Sequence, residues 1–267
     1  MEDSQEWGQG RIVMAMVGAG LAVLLLLGGL SYWIYLALVG NGGTSPDPVA
    51  AGPGSSHTAD VPRADKASEE MSHAEPEDAK GGRPALQKPE AINVPVPTRA
   101  GAAGVATGYP HTPAGAVGQL AAIDRAAYES MDLDRAQAIW DGWATPEAKK
   151  IISFEEWEVT EGVAGFLEHE GGGRKKRPST VVTVHPSAAQ IKATDGKDWV
   201  VACVLHKVDA SAEENATIAA GRCQAMQWDT DRQQWLIGPE KPARAPSTWP
   251  GSEKARQAGW KEWVNGE

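Results

Sequence analysis

From Asn41 to Gly108 the chain contains no Phe, Trp or Tyr, and its large aliphatic or Met side chains number eight: Val49, Val61, Met71, Leu86, Ile92, Val94, Val96 and Val105. A stretch of 68 residues so composed cannot bury enough apolar surface to offset its own ordering entropy. Cysteine is also scarce. Two residues, Cys203 and Cys223, exclude a disulfide-dense scaffold and any CxxC metal or redox motif. There is no P-loop, no GxGxxG and no HExxH. The six His (His57, His73, His111, His169, His185, His206) show no ligand spacing with a nearby Cys or Asp, so no metal or other cofactor is expected. Nor is there an excess of positive charge. A net charge of −10 opposes phosphate contact and excludes a generic nucleic-acid binder.

What the chain does have is unevenly distributed. Ile12 to Val39 is a run of 28 residues without a charge, long enough to span a bilayer with some tilt. Tyr32, Trp33 and Tyr35 gather toward its end, as aromatic rings do at a membrane interface. A cleaved signal peptide fits less well: the preceding residues carry three acids and one Arg, and no A-x-A site follows. Arg11 abuts the run, and no further Lys or Arg appears until Arg63. The positive-inside bias therefore places the N-terminus in the cytoplasm and the rest outside. The expected organisation is a cytoplasmic tail over 1–11, a transmembrane helix over 12–39, a disordered Pro/Ala/Gly-rich linker over 40–108 and an extracytoplasmic domain over 109–267. Within the linker, Ile92–Thr98 suits an extended conformation that adds transiently to a sheet edge.

Nine of the eleven Trp lie between Trp140 and Trp263, which marks the folded part. Thr112-Pro113 reads as a helix start, with Val117, Leu120, Ile123 and Ala127 on one face. A second helix carries Leu133, Ala136, Ile139, Trp140 and Trp143. Ser153 and Glu156 form a capping box, so a third helix is expected from Phe154 to about Glu168, stopped by Gly171–Gly173. The period then falls to two: strands are expected over 180–185, 188–193, 199–208, 216–228 and 233–237. Asp195-Gly196 signals a hairpin, Asp229–Arg232 a second tight connection, and Pro186 a bulge or edge. Ser252 caps a short tail helix carrying Trp260 and Trp263. Helices followed by a meander predict an α+β domain with helices on one face of an antiparallel sheet.

If the strands holding Cys203 and Cys223 pair about a turn near residue 213, the two cysteines stand opposite each other. A narrow antiparallel pair then admits a disulfide, which an oxidising compartment would form; two buried thiols are the alternative. Arg174, Lys175, Lys176 and Arg177 follow three glycines as a basic loop, read either as a solvated surface or as a contact for anionic lipid or an acidic protein face. Trp140, Trp143, Trp157, Trp228 and Trp235 read as core, or else as the lining of an apolar ligand cavity. No acid–base pair stands out, so no enzyme activity is expected.

Three stretches carry a resemblance: Gly108–Asp124 (GYPHTPAGAVGQLAAID), Cys223–Trp228 (CQAMQW), and Trp235–Pro239 with Pro246–Gly251 (WLIGP, PSTWPG). With one preceding span, they resemble single-pass membrane proteins of actinobacterial conjugative and integrative elements. That resemblance implies a nuclear transport factor two-like (cystatin-like) extracytoplasmic domain, a curved sheet wrapped on three helices, and paired cysteines at Cys203 and Cys223. The same layout occurs in inner-membrane scaffold proteins of type IV secretion. It implies a structural component of a transfer apparatus whose partners are the lipid bilayer, other membrane proteins of that apparatus and further copies of itself. The basic loop departs from the family's pattern. The alternative is an extracytoplasmic ligand-binding module on the same fold.

Overall fold

The computed structural model describes residues 61–212 and 215–266. The expected membrane helix and residues 40–60 of the expected linker lie outside them. Among the described residues no helix is long and apolar enough to cross a membrane. The elements run α1 (Arg63–Ser68), β1 (Ala91–Val94), β2 (Arg99–Ala100), β3 (Ala106–Thr107), α2 (Pro113–Ser130), α3 (Leu133–Trp143), α4 (Pro146–Ile151), α5 (Glu158–His169), β4 (Val181–Asp195), β5 (Trp199–Ser211), β6 (Asn215–Asp229), β7 (Gln234–Ile237), α6 (Glu253–Gln257) and β8 (Lys261–Asn265). This is an α+β fold built on a curled sheet of order β1-β8-β4-β5-β6-β7, antiparallel except where β1 runs parallel to β8.

Local chemistry accounts for most element ends. The Thr112 hydroxyl accepts from the Gly115 N–H and Pro113 opens α2. The Asp132 carboxylate accepts from the Asp134 and Arg135 N–H groups to start α3, and the Thr145 hydroxyl does the same for α4 from Ala148. The Ser153–Glu156 box forms with both reciprocal bonds, yet it closes a separate turn, and α5 begins only at Glu158. Gly171, Gly172 and Gly173 all take positive φ after α5, a conformation that ends the helix at little steric cost. The two strands expected around Pro186 are one strand, β4, with a register shift between Pro186 and Ala188. The tail helix α6 is capped by Ser252 but stops at Gln257: Trp260 follows it and Trp263 lies in β8, where pairing with both β1 and β4 decides the conformation.

The larger correction concerns residues 61–108. The disordered linker expected there is part of the folded unit, which therefore extends well beyond 109–267. The composition argument holds for a segment folding alone; this one docks on a sheet made by others. Ile92, Val94 and Val105 enter the core on the helical side, and β1 joins the sheet beside β8. Ala67, Ala79 and Met71 pack on the opposite face. The edge addition expected of Ile92–Thr98 is thus realised over Ala91–Val94. Strand β5 shows why a second cover is needed. Its opening run Trp199–Leu205 (WVVACVL) is apolar at seven successive positions, which suits a strand buried on both faces. Val200, Ala202 and Val204 face the helices, and Trp199, Val201, Cys203 and Leu205 face the docked N-terminal arm and the C-terminal tail.

Candidate functional site

Alternation along β5 and β6 turns even-numbered side chains toward the helices, and this brings a set of polar residues into the interior. His206 on β5, Arg222 and Gln224 on β6, and Asp124 on α2 meet there. Asp124 and His206 are 0% and 1% exposed. His206 Nε2 lies 3.0 Å from Asp124 Oδ2, and Arg222 Nε lies 3.4 Å from Asp124 Oδ1. Arg222 Nη2 donates to Gln224 Oε1 at 3.3 Å, and the guanidinium carbon stands 5.9 Å from the centroid of Trp157. One turn along α2, burial pushes the Tyr128 phenol well above its usual pKa, opposed by the positive charge of Arg222. His206 Nδ1 and Arg222 Nη1 have no hydrogen-bond partner among the described residues.

A carboxylate oriented against an imidazole is the pairing from which general bases are made. Here the pair is sealed. Asp124, His206 and Arg222 are all buried, and none lines the surface groove walled by α2, β4 and β8. In this arrangement their chemistry is that of a buried ion pair, strongly destabilised if one partner is lost.

That groove has a volume of about 710 Å³ and opens where β4 and β8 part. Arg125 and Glu129 of α2, His185 and Pro186 of β4, Trp263 of β8 and Tyr109 contribute to its walls. The Glu129 carboxylate accepts a 3.2 Å hydrogen bond from the Val184 N–H, capping the open edge of β4. Burial pushes the Tyr109 phenol up to about 12.

The residues expected from sequence fall as follows. Cys203 and Cys223 are bonded, directly opposed across β5 and β6 with Cα atoms 4.0 Å apart, and Met71 of the arm lies against Cys223. Trp140, Trp143, Trp157, Trp228 and Trp235 are all buried in the core on the helical side, and none lines the groove. Trp140 packs on Trp157 and Trp228 on Trp235, with His111 stacked on Trp228 at 4.2 Å. The indole N–H of Trp143 donates to the Ala102 carbonyl and that of Trp235 to Pro110. The basic loop is occupied at home. Arg174 donates through Nε and Nη2 to Asp134, whose carboxyl it holds below the usual range, and Lys176 donates to the Thr180 carbonyl. The Arg177 guanidinium lies 3.6 Å from Glu170, and Lys175 bridges to Asp132 through the backbone.

The Asp124–His206–Arg222 cluster was not read from the sequence. Its one available signal was parity, since His206 shares the inward register of Val200, Ala202 and Val204, and Arg222 that of Gln224 and Met226. No protein-family model, curated protein or solved structure matches the chain.

Proposed function

We propose that this chain is a membrane-anchored structural component of a conjugation or type IV secretion-like transfer apparatus, acting through protein–protein contacts rather than catalysis. In this reading residues 12–39 hold it in the cytoplasmic membrane, and the domain, of nuclear transport factor two-like architecture, lies outside. The observation that carries the reading is the closed interior: the Trp residues and the Asp124–His206–Arg222 cluster fill the space between helices and sheet, leaving the surfaces to do the work. The Cys203–Cys223 bond supports placement in an oxidising compartment.

Two measurements test it. Protease added to intact spheroplasts should remove the domain; survival until lysis rejects the topology. Crosslinking in the membrane should recover transfer-channel components, and deletion should impair transfer; recovery of none with normal transfer rejects the role. The groove of about 710 Å³ favours a second reading, a ligand-binding module, because its size suits a small molecule. A thermal shift with small-molecule or lipid mixtures, abolished by Trp263→Ala, is what that reading requires.

A further inference from the structure

Among the walls of the groove, Tyr109 is distinguished by what its hydroxyl lacks. The residue is 8% exposed, yet the hydroxyl makes no hydrogen bond to any described residue. Its ring lies on Gly118 of α2, where a Cβ would stand 2.5 Å from it. Glycine inside a helix costs about 1 kcal/mol relative to Ala. Here it opens the seat that fixes the phenol in the groove wall. Burial keeps that phenol protonated, and so a hydrogen-bond donor, at neutral pH. A buried donor without a partner carries a desolvation cost that a bound acceptor recovers.

Charge points the same way. Arg125 and Arg135 line the groove against one acid, Glu129. The Glu129 carboxylate is taken up by Arg125 Nε at 3.0 Å and by the Val184 N–H. The Nη groups of Arg125 and the guanidinium of Arg135 hydrogen-bond to no described residue. In a chain of net charge −10, the groove thus carries one net positive charge while His185 is neutral. Arg125 acts electrostatically on the Tyr109 phenol, so a cation and an unused donor stand together. Trp263 and Val96, the latter 48% exposed, supply an apolar wall.

We propose that the groove binds a small organic monocarboxylate, whose head accepts from the Tyr109 hydroxyl and the Arg125 Nη groups while its apolar body lies against Trp263 and Val96. Arg135 adds attraction from a greater distance. One net positive charge matches a single carboxylate, whereas a doubly charged phosphate would exceed it beside Glu129. A groove of about 710 Å³ lies within the range of small-molecule sites. The proposal rests on the ligand-binding reading of this groove and supplies its ligand class.

The test uses the full chain in lipid nanodiscs, dialysed at neutral pH against naphthoate, with empty nanodiscs as the blank and naphthamide as the neutral counterpart. Saturable binding of the acid, about ten-fold tighter than of the amide, is expected. Tyr109→Phe should weaken it about ten-fold at unchanged Tm, because the hydroxyl supports no described residue. Arg135→Gln should weaken it about three-fold, a difference that closes at high salt. No binding above the blank, or binding indifferent to Tyr109→Phe, overturns the proposal, as does naphthyl phosphate binding more tightly than the acid. Equal affinity for acid and amide also overturns it; if Trp263→Ala then abolishes both, the ligand-binding reading stands without the acid.

Discussion

The two faces of the sheet are covered by different means. On the helical side, large side chains interlock: Trp143, Trp235, Leu120, Ile139 and Met226 are fully buried around the Asp124–His206–Arg222 cluster. On the other side the cover is thin. Ala67, Ala79 and Ala255 lie over Val201, Cys203 and Ala225, with Trp260 as the largest contributor from the tail. Small residues bury little area each, so this layer adds other fastenings: a disulfide beneath Met71, Arg63 and Lys66 on Asp195, and the Lys192 ammonium donating to the Ala67 and Glu69 carbonyls. One side is held by packing volume, the other by polar attachments to a segment too poor in apolar residues to fold alone, laid over two strands that a disulfide ties together.

The sharpest way to break the packed side is Asp124→Ala. It strands the Arg222 guanidinium in the interior and should cost about 3–5 kcal/mol, read by denaturant unfolding. The thin side has its counterpart in the double substitution Cys203→Ala with Cys223→Ala. Releasing a cross-link across 20 residues of sequence should cost about 3 kcal/mol, with the loss of hydrogen-exchange protection concentrated over the arm. Alkali probes the packed side again. Burial pushes the Tyr109 phenol from its usual value near 10 up to about 12, so the stability tied to its neutral form is complete below pH 10 and is lost as pH rises from 10 to 12. That amounts to about 2–3 kcal/mol, measurable by tyrosinate absorbance alongside unfolding. The smallest effect belongs to Asp195→Ala. The Arg63 guanidinium holds the Asp195 carboxyl below its usual range, so this attachment is present above the ordinary carboxylate pKa and is lost as pH falls below it. Global stability should barely change, whereas proteolysis near α1 should accelerate, and high salt should reproduce the effect in the unmodified chain.

Much of the fold could be read before the structure because its signals are local. Thr112-Pro113, Asp195-Gly196, Pro186 and Ser252 each act on backbone within a few residues, and each does what its chemistry suggests. The disulfide followed from counting along two strands joined by one turn. What escaped was non-local. Trp263 looks helical beside Trp260, but a strand between β1 and β4 is decided by partners distant in sequence. Residues 61–108 have the composition of a tether because the apolar surface they pack against belongs to other elements. Asp124 and His206 are 82 positions apart, and nothing short of the assembled layers brings them together. The apolar run Trp199–Leu205 was the overlooked clue: a strand without a polar face demands a cover on each side.

The proline, bulge and carboxylate at the margin of β4 also bear on how far assembly can proceed. A molecule with two receptive margins adds neighbours at both and grows into a fibre. At β4 the margin is closed to a further strand, because Glu129 holds the Val184 N–H, Pro186 has none to give and the register shift after it bends the backbone, so no chain can extend the sheet from there.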